Sequence, residues 1–143
     1  MTDLSFGYAL PYQPDRYGYF APVAPLRVLR DRFQTDTDAL WDTGSSLTLL
    51  DATLIPELGL ATSLPLRRQP VHGIGGQGGI AMIHRIWVQL LGAKERMPVW
   101  RVEAGFVPNL QQQIGTNILG RDLMAHLRLA FRQGERRFYF DVE

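Results

Sequence analysis

The apolar residues of this chain fall in short runs separated by proline, glycine and polar turns, a pattern that predicts strands rather than long helices. Val23 to Val28 reads as a strand, and Arg30 to Asp38 as a polar turn region. Ala39-Leu40-Trp41 is an apolar strand ending at Asp42, and Leu47 to Leu50 continues as β after the Asp42-Thr43-Gly44 turn. Asp51 predicts the N-cap of a short helix over Ala52 to Leu58, with Gly59 as its stop. Residues 60–70 are a polar connection holding Pro65 and Pro70.

Val71 to Gly79 then carries five glycines in nine residues. In Ile80 to Leu91, Met82, Arg85 and Gln89 interrupt apolar neighbours as strand residues do, so the glycines read as the tip of a hairpin. Val99 to Val102 and Gly105 to Val107 are further short strands, and Pro108 punctuates. Ile118 to Met124 leads into one short helical pattern, since Leu123, His126 and Leu127 share a face. Leu127 to Phe131 and Arg137 to Val142 form a second hairpin around Gln133-Gly134-Glu135.

Residues 1–20 read as an extended, aromatic- and proline-rich arm, because Pro11 and Pro14 exclude a helix there. Such an arm either straps its own domain or contacts another subunit. No repeat or linker divides the chain, so residues 1–143 are expected to form one mainly-β domain.

Composition adds exclusions. Fourteen of the fifteen basic residues are Arg, but they are scattered and the net charge is +1, so no nucleic-acid surface is predicted. The chain has no Cys, hence no disulfide and no thiolate nucleophile. Met1-Thr2-Asp3-Leu4 does not begin a signal peptide, and no apolar run approaches the ~18 residues of a membrane span. The expectation is a cytoplasmic protein without a membrane segment.

Asp42 is the leading chemical candidate. Leu40 and Trp41 deliver its carboxylate into a partly apolar setting, Gly44 permits a tight turn, and Thr43 and Ser45 put hydroxyls beside it. Two such carboxylates within ~3 Å share one proton, and the pair then activates a water as general base and general acid. The chain has only one Asp-Thr-Gly, so a partner carboxylate would have to come from a second copy. Read locally, the same residues also make an ordinary Asp-initiated turn.

Other sites are excluded on pattern. Gly73, Gly75 and Gly78 fit a Gly-x-Gly-x-x-Gly loop, yet a strand follows where a dinucleotide site needs a helix. A kinase loop lacks its downstream lysine, Lys94 being the only one, and no Gly-Lys-Ser/Thr exists for a phosphate loop. His72, His84 and His126 show no metal-ligand spacing, so neither metal nor organic cofactor is expected.

Three motifs in order are more specific than any one: the apolar-apolar-Asp-Thr-Gly-Ser-Ser run at 40–46, the glycine-rich hairpin, and Ile118-Leu119-Gly120-Arg121-Asp122 before a short helix. Together they resemble the retropepsin-like aspartic proteases over about residues 20–142. The resemblance implies an acid-protease barrel with a glycine-tipped flap, working as a homodimeric aspartic endopeptidase on polypeptide substrate. It makes Asp42 catalytic, Thr43 a contact across the dimer axis, Gly44 a point of substrate approach and Ser45 a donor to the Asp42 carboxylate. A hydroxyl there implies an acidic optimum. His72, Gly73, Ile74, Gly75 and Gly76 become the flap, and Ile118, Leu119, Gly120, Arg121 and Asp122 support the active loop. Leu40, Ile74 and Val107 are the expected pocket walls. Retroviral members carry an acidic residue where Ser46 stands, which leaves the partner of Arg121 open between Asp122 and Asp51. A non-catalytic peptide-binding or dimerisation module of the same fold is the alternative.

Overall fold

A computed structural model describes residues 6–74, 77–92 and 97–142, with the backbone alone for 73, 74, 77 and 78. The N-terminal segment holds β1 (Tyr8–Pro11), β2 (Gln13–Pro14) and β3 (Phe20–Ala21). Next come β4 (Val23–Arg30), β5 (Phe33–Trp41), β6 (Leu49–Asp51) and helix α1 (Leu54–Glu57). The hairpin β7 (Arg67–Ile74) and β8 (Gln77–Leu90) follows, then β9 (Val99–Val107) and α2 (Leu110–Ile114). The chain ends with β10 (Asn117–Leu119), α3 (Arg121–Met124), β11 (Leu127–Arg132) and β12 (Arg137–Val142).

Six of these strands close into a barrel in the order β4-β5-β10-β6-β9-β8, with β8 returning to pair with β4 through Trp87–Leu90 and Leu26–Leu29. Strand β7 lies outside the ring, and among the described residues it pairs with β8 alone. Closure removes the edges that an open sheet would expose. A separate three-stranded sheet, β1-β12-β11, covers one end of the barrel, so the arm straps its own chain: Tyr8 to Pro11 pair with Phe140 to Arg137. Tyr8 stacks on Phe140 at 4.8 Å, and Phe138 and Phe140 are fully buried beneath.

Two apolar cores lie on opposite faces of the central strands. Leu50, Phe106 and Leu119 point into the main core with Leu26, Val28, Ile86 and Val88. Their neighbours Leu49, Val107 and Ile118 point the other way, into a smaller core with Ala81, Ile83 and Leu110. Successive strand residues face opposite sides, so each apolar doublet reports a strand buried on both.

Several boundaries differ from the sequence reading. Arg30 to Asp38 was expected as a turn region, but residues 33–38 continue β5. Gln34, Asp36 and Asp38 face outward, and Asp36 accepts from Arg27 across the strand pair at 2.7 and 3.0 Å. The 60–70 connection turns into β7 at Arg67, and Val99 to Val107 is one strand rather than two. Besides the short helix at α3 there is α2, whose apolar period is a single pair, Leu110 and Ile114. Leu127 belongs to β11, not to a helix. Gly59 stops α1 as expected: its φ of +67° lets the Leu60 N–H return to the Ile55 carbonyl at 3.0 Å.

His84 is buried, edge-on to Phe106 at 5.5 Å. Burial holds its imidazole below the ordinary 6.5, and the charge of Arg30 pushes the same way. The folded protein therefore binds fewer protons there than the unfolded chain. Stability should fall as pH drops through about 6.5 towards the folded value. Urea midpoints at about pH 7 and pH 5 should differ in wild type, and His84→Phe should shrink that difference; an equal difference in both proteins would refute it.

Candidate active site

Asp42 sits at the end of β5, where the chain leaves the barrel beside β10. The pairing of β5 with β10 is parallel, Ala39 to Trp41 against Asn117 to Leu119, and the Asp42 N–H extends it to the Leu119 carbonyl at 3.0 Å. The loop after Asp42 folds over the start of α3. The Ser45 N–H reaches the Asp42 carbonyl at 3.2 Å, and the Arg121 N–H reaches the Ser45 carbonyl at 2.8 Å.

The half-buried Asp42 carboxylate accepts the Gly44 N–H through Oδ1 at 2.8 Å. Among the described residues, Oδ2 has no hydrogen-bond partner. Thr43 and Gly44 beside it are exposed. Ser45 does not donate to Asp42 as expected; its hydroxyl turns to the Leu47 carbonyl at 2.6 Å. A short side chain in a turn satisfies the nearest backbone acceptor first. The expected acidic optimum therefore loses its stated basis.

Gly120 is the position that makes this loop fit. Its φ of −98° suits any residue, so space and not conformation demands glycine. A Cβ there would lie inside contact distance of the Leu47 backbone. Thr48, fully buried, fixes the same crossing: its hydroxyl donates to Asp122 Oδ1 at 2.8 Å and accepts the Gly120 N–H at 3.3 Å. The Thr48 N–H donates to Asp122 Oδ2 at 2.9 Å.

Asp122 is thus occupied by Thr48 and by the Leu123 N–H, and it does not pair with Arg121. Asp51 does not either. It is buried, and its carboxylate accepts the Thr53 N–H at 2.9 Å and the Gln111 N–H at 2.8 Å. Burial alone would raise its pKa, but those backbone donors outweigh it and hold the carboxyl below the usual range. Asp51 therefore bonds the first turn of α2 as well as the local turn before α1. The guanidinium of Arg121 is exposed, and among the described residues no carboxylate pairs with it.

A cleft of about 300 Å³ opens over Asp42, with Leu40, Leu49, Ile114 and Ile118 as apolar floor and walls and His72 of β7 on the opposite rim. A second depression joins it along Gly44 to Leu47 and Gln69 to His72. Leu40 is thus a wall residue as expected, whereas Val107 lies buried in the smaller core, beneath the floor. Gly73 and Ile74 lie on β7, Ile74 paired with Gln77 across the hairpin, while Gly75, Gly76 and the side chain of Ile74 fall outside the described residues. Sequence reasoning missed α2, which supplies Ile114; Leu110 and Ile114, four residues apart around three glutamines, are too short a signal for a helix. Among the described residues no three His, Asp or Glu side chains converge as a metal site requires, and no helix is long and apolar enough to cross a membrane.

The sequence model of the family described as retroviral aspartyl protease matches residues 22–132, which holds both the Asp42 loop and the Gly120 crossing. The chain belongs to that family, and its mainly-β barrel is retropepsin-like. A search of curated proteins finds no match. Among solved structures, EIAV protease complexed with the inhibitor HBY-793 is 24% identical, over 73% of this chain and 86% of that one, with a TM-score of 0.40.

Gly120→Ala should cost about 1–3 kcal/mol by overpacking the crossing. Thr48→Val, which leaves the Gly120 N–H unpaired and takes one of two donors from Asp122 Oδ1, should cost about the same. Denaturant midpoints check both, and unchanged midpoints would show that the crossing does not hold the loop.

Proposed function

We propose that this chain is an aspartic endopeptidase acting as a homodimer, with one Asp42 from each subunit. The observation that carries the reading is the half-buried Asp42 carboxylate lining an apolar-walled cleft, next to exposed Thr43 and Gly44, in a chain of the retroviral aspartyl protease family. One such loop offers a single carboxylate. A second copy brought loop to loop across a two-fold axis completes the pair, with Thr43 at the contact.

In that pair the two carboxylates share one proton, because like charges so close do not both ionise. The ionised member takes a proton from a bound water as its oxygen attacks the peptide carbonyl carbon. The protonated member gives its proton to the carbonyl oxygen. Collapse of the tetrahedral intermediate breaks the carbon–nitrogen bond, and a proton returned to nitrogen releases the amine product. Peptide lies extended in the cleft, its backbone paired like an added strand beneath a β7–β8 flap formed by His72, Gly73, Ile74, Gly75 and Gly76. Hydrolysis by this route uses no cofactor and no covalent intermediate.

Asp42→Asn should lower kcat/KM for casein-derived peptides by at least about 10³-fold while leaving the fold and the oligomeric state unchanged. The pH–rate profile should be bell-shaped, with both limbs belonging to the pair. Cleavage that survives the substitution would overturn the mechanism. Dimers that bind peptide but cleave at no pH would identify the non-catalytic module instead.

A further inference from the structure

The hairpin of β2 and β3 is built to hold a wall. Its turn is fixed from within: the Asp15 carboxylate accepts the Tyr17 and Tyr19 N–H groups at 2.9 and 3.0 Å, and the Asp15 N–H reaches the Tyr19 carbonyl at 2.7 Å. From its tip Arg16 crosses to α2. Nη1 donates to the Gln112 carbonyl at 3.0 Å and Nη2 to the Gln113 carbonyl at 2.8 Å. These carbonyls close the C-terminal turn of α2, where a cation is also electrostatically favoured. A side chain at Gly115 would strike Arg16, so the end of α2 is shaped to receive it.

Between this pinned hairpin and the barrel lies a chamber of about 310 Å³, with Pro14, Tyr17 and Ala21 on the hairpin side and Val23, Leu40 and Ile114 on the other. Leu40 and Ile114 also wall the Asp42 cleft, so the two spaces adjoin. Asp15 and Arg16 are bonded to backbone, and the lining is mostly carbon, with Gln13 and Thr116 as further polar members. Asp38, an exposed carboxylate at its edge, opposes an acidic occupant.

We propose that the residue 13–21 hairpin is a specificity element: its chamber takes one large apolar side chain of the extended peptide and rejects an acidic one, and Arg16 is the positioning residue that holds its outer wall. This rests on the peptidase reading above. Wild type should cleave peptides with Leu, Met or Phe at one particular position about 10-fold faster, in kcat/KM, than the same peptides with Ala there, and faster still than those with Glu.

The test compares that Leu-to-Ala ratio within each variant, so a loss of total activity does not disturb it. Ala21→Trp, which fills the chamber, should bring the ratio close to one. Arg16→Ala should raise KM for the Leu peptide more than it lowers kcat, and Arg16→Lys should restore part of the loss. A ratio unchanged by both Ala21→Trp and Arg16→Ala, or no preferred position in wild type, would overturn the proposal. If wild type shows no Asp42-dependent cleavage, the peptidase reading fails by itself. The same ratio is then read as Kd for statine-containing Leu and Ala peptides. A preference that collapses in Ala21→Trp upholds the chamber, and equal binding of the two peptides rejects it.

Discussion

The structure around Asp42 depends on one insertion: β10 slides between β5 and β6, parallel to the first and antiparallel to the second. That placement brings Gly120 against the backbone of Leu47, so the loop after Asp42 has to pass over a residue without a side chain. Thr48 and Asp122 then bond the two segments together. The carboxylate is held by the backbone around it and by this crossing, not by a neighbouring charged group.

A short inserted strand survives only if both of its faces are covered. Leu119 enters the main core and Ile118 the smaller one, with α2 closing the latter through Leu110. Asn117, fully buried, joins the three strands: it accepts the Asp51 N–H at 2.7 Å and donates to the Thr37 hydroxyl and the Asp38 carbonyl at 2.9 and 3.0 Å. Such a network is stabilising only because its donors and acceptors are matched. Asp51 carries the same logic to α2, whose Ile114 walls both the Asp42 cleft and the chamber beside it. Loop position, floor and side wall are thus mechanically one assembly.

The parts legible in the sequence are those whose cause is local. The doublets Leu49-Leu50, Phe106-Val107 and Ile118-Leu119 announce two-sided burial, and Asp42-Thr43-Gly44 with Ile118-Leu119-Gly120 marks the crossing even before its geometry is known. Gly59 ends its helix for a backbone reason that the residue itself carries. Residues 33–38 were read as a turn because their outward face is all polar, and only the Arg27–Asp36 pairing across strands reveals a strand there. Partners were harder to foresee than elements. Ser45 and Asp122 had closer backbone and hydroxyl groups than those first assigned to them, and Arg16 beside the chamber meets carbonyls 96 and 97 residues away.

If the catalytic pair is drawn from two copies, activity is a property of the dimer. The most direct measurement mixes wild-type chains with Asp42→Asn chains under conditions of subunit exchange, at constant total concentration, and follows peptide cleavage against the wild-type fraction. If each site needs two Asp42 carboxylates, activity should follow the square of that fraction, falling to about a quarter at an equal mixture. A straight-line dependence, with about half the activity at an equal mixture, would mean that each chain works alone and would contradict the shared site.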